Sequence, residues 1–232
     1  MNGKSLDRIL AGMGILLTVP GFAALFLSPY GAAAAIALTF GALFLAAAAI
    51  FRHLDSLPPY TYLDLRSELL FPKGSGAFAT FKQSMRIRPN FRHLTMLTLR
   101  GFGADGTVTN FKWDGKPVDV VKRAGRYRVT VTFTAPRTRF VPFSGILTYD
   151  FIDSFLAERE YFCEPVRAST KRADLVIGFP EEKPGHDIEV IREDDSGDEE
   201  LPAQMWTHQG RQVSLQVRRP KPGTSYWIWW RW

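Results

Sequence analysis

Cysteine occurs once in the 232 residues, as Cys163, so no disulfide can close within the chain. A lone thiol fits a reducing compartment and excludes the disulfide-stapled build of small secreted domains. Histidine is nearly as scarce. His53, His93, His186 and His208 stand singly, without a second ligand type at metal-binding spacing. There is no Walker-type glycine loop, no G-x-S-x-G elbow, no H-E-x-x-H, no paired C-x-x-C and no dinucleotide fingerprint. Those absences remove the usual signatures of enzymes, and the expectation is a protein without catalysis, cofactor or bound metal.

Charge is also missing, but only locally: from Ile9 to Phe51 there is no Asp, Glu, Lys or Arg. A bilayer core of about 30 Å is crossed by about 20 helical residues, so the run is too long for one span and suits two. Ser28-Pro29-Tyr30-Gly31 is a turn cluster that divides Ile9–Leu27 from Ala32–Phe51. Lys4 and Arg8 precede the first segment and Arg52 and His53 follow the second, with no positive charge between them. By the positive-inside rule both termini then face the cytoplasm. A cleaved signal peptide is the competing reading, and the second apolar run counts against it. Pro20-Gly21 should kink the first helix. Gly14 and Thr18, then Ala33, Ala37 and Gly41, form small-residue stripes at one-turn spacing, suited to packing within the hairpin or between copies.

From Arg52 onward charges fall every few residues, and the net charge of the whole chain is +6. Asp55-Ser56-Leu57-Pro58-Pro59 reads as a short stiff linker. Beyond it, alternation of period two dominates: Tyr127, Val129, Val131 and Phe133 point one way, and Arg126, Arg128, Thr130 and Thr132 the other. Similar runs predict strands near 60–71, 77–88, 94–99, 107–113, 146–152, 175–179, 188–191, 213–217 and 226–232. Asp105-Gly106 and Asp114-Gly115 are hairpin turns. One short helix is expected around Ile152–Glu160, with Asp153 or Ser154 as its cap. The aromatic last strand, from Tyr226 to Trp232, should be covered on both faces. The expected fold is therefore an N-terminal α-helical transmembrane hairpin, residues 1–54, and an all-β domain, residues 55–232. That domain would be an antiparallel β-sandwich or barrel of about ten strands.

Three constellations bear on function. Lys82, Arg86 and Arg88 share one face of a predicted strand, and Arg126 and Arg128 share a face of another. Side by side, and interleaved with Tyr62, Phe81, Phe91, Phe111, Trp113 and Tyr149, they would pair a phosphate and stack a base. The plainer readings are a solvent-facing sheet or a patch leaning on anionic lipid. Cys163 lies close in sequence to Glu158, Glu160 and Glu164, which would raise a thiol pKa, so a structural thiol is expected. The acidic run from Glu193 to Glu200 departs from EF-hand spacing and reads as a solvated loop.

Two apolar spans followed directly by a β-rich domain resemble the two-transmembrane, β-strand-rich effectors of bacterial cyclic-oligonucleotide anti-phage signalling, the CBASS systems. The resemblance is one of architecture and carries over no residue. It implies a two-pass protein of the bacterial inner membrane whose cytoplasmic β domain binds a cyclic oligonucleotide and whose hairpins oligomerise. The expectation is thus a membrane-anchored sensor or effector triggered by a nucleotide messenger or a protein, with the lipid bilayer and further copies of the chain as partners. No nucleic acid polymer is expected. The alternative is an anchored β-sandwich interaction module that recruits a protein partner through exposed strand edges.

Overall fold

A computed structural model describes residues 40–50, 58–72, 77–90, 93–102, 105–209 and 211–232. The chain divides into two compact units, Met1–Leu57 and Pro58–Trp232. In the first, a helix covers 40–50. No helix among the described residues is long and apolar enough to cross a membrane. This corrects the expected transmembrane hairpin, and with it the two-pass inner-membrane placement with cytoplasmic termini. The first expected span and residues 32–39 and 51 of the second lie outside the described residues, as do Gly14, Thr18, Ala33 and Ala37. Gly41 is exposed in the short helix, and a Cβ added to it would touch nothing within 4 Å.

The second unit is built from strands: β1 Tyr60–Leu70, β2 Phe78–Pro89, β3 Leu94–Phe102, β4 Thr107–Trp113, β5 Lys116–Pro117, β6 Asp119–Arg123, β7 Arg126–Arg137, β8 Phe143–Ile152, β9 Arg159–Pro165, β10 Arg172–Gly178, β11 His186–Asp194, β12 Gly197–Glu200, β13 Trp206–Gln209, β14 Gln212–Arg218 and β15 Ser225–Arg231. They form an eight-stranded sheet in the order β13-β14-β10-β1-β2-β8-β4-β5, a four-stranded sheet β12-β11-β15-β9, and a three-stranded sheet β3-β7-β6. The expected two-layer sandwich or closed barrel is corrected to this three-sheet arrangement. Nor is the pairing wholly antiparallel, because β1 runs parallel to β10, with Leu65 opposite Ala173. Local alternation specifies that a strand forms, while a partner so distant in sequence is chosen by packing.

The expected helix over 152–160 is also absent. Ile152 ends β8, Asp153 has a φ of 54°, and Glu160 already belongs to β9. The Ser154 hydroxyl donates to the carbonyl of Ile152 at 3.2 Å instead of capping a helix. At the hairpins the local chemistry is plain. Asp114 and Gly115 form the two-residue turn between β4 and β5, with φ of 48° and 79°, as a type I′ turn requires.

One apolar core joins all three sheets. The inner face of the large sheet meets the four-stranded sheet where Phe81 lies 5.6 Å from Phe162. It meets the three-stranded sheet where Phe111 approaches Tyr127 at 5.4 Å and Trp113 approaches Phe133 at 6.4 Å. Trp113 fits because Gly145 faces it; a Cβ there would stand 1.9 Å from the indole ring. On β15 the inner residues Tyr226, Ile228 and Trp230 are buried, and the ring of Trp230 packs among Phe71, Phe155 and Phe179. The outer residues Trp227 and Trp229 are half-buried under Tyr161, with the Arg159 guanidinium 4.8 Å from the Trp229 ring.

Candidate functional site

Polar residues sit in the inward phase of three strands, where alternation calls for apolar ones. On β1 the inner row runs Leu65, Ser67, Leu69, and on β2 it runs Phe81, Gln83, Met85. Ser67 and Gln83 are direct cross-strand partners, so the two polar side chains meet at the centre of the large sheet. Facing them, the inner row of β9 is Glu160, Phe162, Glu164. Gln83 Nε2 lies 3.1 Å from Ser67 Oγ and donates to Glu164 Oε1 at 3.2 Å, and Ser67 also hydrogen-bonds the carboxylate. Both glutamates are more than nine-tenths buried, at 6% exposure for Glu160 and 7% for Glu164.

Gln83, Glu160 and Glu164 border a cleft of about 780 Å³. It lies between the large sheet and the two smaller ones and passes round the free edge of β9, the outermost strand of its sheet. Tyr60, Tyr62, Phe81, Tyr149 and Phe162 supply aromatic walls, with Tyr60 and Tyr62 edge-to-face at 5.3 Å and Phe81 and Tyr149 at 4.6 Å. The rim is exposed and polar, made by Asp105, the turn Ala124-Gly125-Arg126, Arg167 and Glu193.

Burial dominates the electrostatics. It pushes the Glu164 carboxyl from 4.5 up to about 7, against the opposing pull of Ser67, Arg167 and Gln83. It raises Glu160 as well, there opposed by the backbone N–H of Ala157. The phenols of Tyr62 and Tyr149 are held well above their ordinary value by the same loss of solvent, reinforced by the charge of Glu164. Cys163 is pushed up to about 12 by burial first, then by Glu164 and Glu193, so its thiol is a poor nucleophile. Among the described residues no Lys, Arg or His lies within 4.0 Å of either inner glutamate. A carboxyl held near neutrality there can accept hydrogen bonds, donate one when protonated, or balance a bound positive charge.

The basic residues singled out from the sequence are distributed differently. Lys82, Arg86 and Arg88 do share the outer face of β2, but Lys82 lies 3.4 Å from Glu68 and Arg86 4.0 Å from Asp64. Arg66 and Arg172 close on the same two acids at 2.9 Å, so the face is a mixed ion-pair ladder rather than a positive surface. Arg126 and Arg128 are exposed on β7, in another sheet, so the two basic strands are not neighbours. Of the six candidate residues only Arg126 borders the cleft; Trp113 is buried in the core. Tyr62, Phe81 and Tyr149 do face the cleft, Phe111 packs in the core, and Phe91 lies outside the described residues. The acidic run is the β11–β12 hairpin, in which Arg192 pairs with Glu199 and the Trp227 indole N–H donates to Glu193 at 2.7 Å. Among the described residues no group of three or more His, Cys, Asp or Glu is placed to hold a metal ion.

No protein-family model matches the chain, and no curated protein does. Solved structures resemble it partially. An M1 zinc metallopeptidase from Deinococcus radiodurans aligns with a TM-score of 0.41 and 12% identity over 73% of this chain and 42% of its own. Yeast LTA4 hydrolase aligns with a TM-score of 0.44 and 8% identity over 74% of this chain and 29% of its own. The chain thus spans less than half the length of either protein, and likeness of this degree assigns it no activity.

Proposed function

We propose that the β-rich unit is a receptor for a small ligand taken up in the cleft between its sheets, the sensing half of the role expected from the sequence. The observation that carries this reading is Glu164: an ionisable side chain, desolvated and without an ion-pair partner among the described residues, beside an aromatic cleft of about 780 Å³. Ligand sites typically span about 300 to 1,000 Å³ and combine apolar walls with a few convergent polar groups. A desolvated carboxyl costs stability, and apolar residues of the same volume would pack the sheets more favourably. A module that recruits partners only through strand edges has no use for it.

The test is a ligand-observed NMR screen of small aromatic fragments against the full chain, repeated on Ala168→Trp. Ala168 borders the cleft and is half-buried, so an indole there fills the space. Fragments that bind the parent and are lost in the variant support the reading. Binding indifferent to the substitution contradicts it.

A cyclic oligonucleotide is the second ligand class, favoured by Arg126 and Arg167 on the rim. A cyclic dinucleotide added to the same samples distinguishes it, since displacement of the bound fragments supports an anionic ligand held at that rim.

A further inference from the structure

On the reading of the cleft as a receptor site, we infer that its ligand is an organic cation, a protonated amine on a flat apolar body, with its charge set against Glu164. The two buried ionisable side chains on the inner face of β9 are both carboxylates, Glu160 and Glu164, on either side of Phe162. Among the described residues, positive charge borders the cleft only at the exposed rim, on Arg126 and Arg167, where water screens it. An anion entering to the same depth would meet desolvated like charge, which a low-dielectric site penalises most strongly.

The aromatic walls favour the same sign. Ring faces carry negative quadrupole potential and attract cations, more so where water is excluded. Tyr62, Phe81 and Tyr149 border the cleft beside the carboxylate, and each is at least nine-tenths buried. Ser67 and Gln83 donate to Glu164 from the large sheet and so fix the carboxylate's orientation, while an ionised carboxylate has about four lone-pair sites and can still accept from an ammonium group. Loss of the ammonium's hydration is thereby offset by a charge-assisted hydrogen bond and by ring faces.

The test uses three probes with a phenyl ring on a short chain and different charge: 2-phenylethylammonium, 2-phenylethanol and 3-phenylpropionate. Binding to the full chain is followed by calorimetry at pH 8. The ammonium should bind at least tenfold more tightly than the alcohol, and the carboxylate should be weakest. Glu164→Gln should remove that preference while the alcohol binds as before. If Glu164→Gln does not fold, Glu160→Gln should reduce the preference in the same direction. Equal or tighter binding of the alcohol or the carboxylate overturns the charge assignment and leaves the receptor reading standing. Binding of none of the three overturns both.

Discussion

Gln83 on β2 donates through Nε2 to Oε1 of Glu164 on β9 at 3.2 Å, bridging the eight-stranded sheet and the four-stranded sheet through the core between them. Its partner across the strand is Ser67, so three polar side chains from three strands meet where the surrounding positions are apolar. Hydrogen bonding makes this arrangement tolerable, and burial keeps it costly.

Stability should therefore fall as pH rises from about 4.5 to about 7. Below pH 4.5 Glu164 is protonated both folded and unfolded, and contributes nothing. Between 4.5 and about 7 the unfolded chain releases its proton while the folded one keeps it, so the folded state loses ground. The full loss is on the order of 3 kcal/mol, reached above about pH 7. Glu164→Gln should recover it at pH 8 and raise Tm by about 5 to 10 °C, with little gain at pH 4.5. Calorimetric scans of both proteins at the two pH values check this.

Cys163 should resist modification. With the thiol pushed up to about 12, the thiolate is scarce at pH 8 in the folded chain. A colorimetric disulfide reagent should label it at least a hundredfold more slowly in buffer than in denaturant. Equal rates would mean that the thiol is solvated.

Trp230→Ala should destabilise the unit by about 3 to 5 kcal/mol, the usual loss on truncating a buried aromatic. The indole is fully buried among Phe71, Phe155 and Phe179, so truncation removes all of those ring contacts at once. Urea unfolding followed by circular dichroism gives the value.

Gly145→Ala should cost about 1 to 3 kcal/mol, because the added methyl meets the Trp113 ring at 1.9 Å and forces it from its site. The double variant Gly145→Ala, Trp113→Leu should be less unstable than the sum of the single ones, since both act on one contact. Denaturant midpoints of the three proteins measure that coupling.

Local signals were the legible part of this chain. The alternation at Tyr127, Val129 and Val131 points those residues into the core, and Asp114-Gly115 makes the turn its sequence suggests. The comparable turn at Ala124-Gly125, with φ of 48° and 74°, carries no such signal, because alanine rarely takes positive φ. Strand β9 was illegible for a related reason: its inward residues include Glu160 and Glu164, so it shows no apolar phase. Gln83 and Ser67 are breaks in otherwise apolar rows, a signal of a different kind from a basic face. Which rows face one another depends on pairings such as β1 with β10, set by long-range packing that no short window contains. The uncharged run over 9–51 carries a signal of length, turn and flanking charge for two spans, whereas no helix among the described residues is long and apolar enough to cross a membrane.

The proposed receptor site depends most on a desolvated carboxyl at residue 164, whose titration can be followed directly by NMR of the full chain with ¹³C-labelled glutamate, assigned through Glu164→Gln. A midpoint near 7 is the result expected. A midpoint near 4.5, the ordinary value for a solvated glutamate, would contradict the burial on which the proposed receptor site rests.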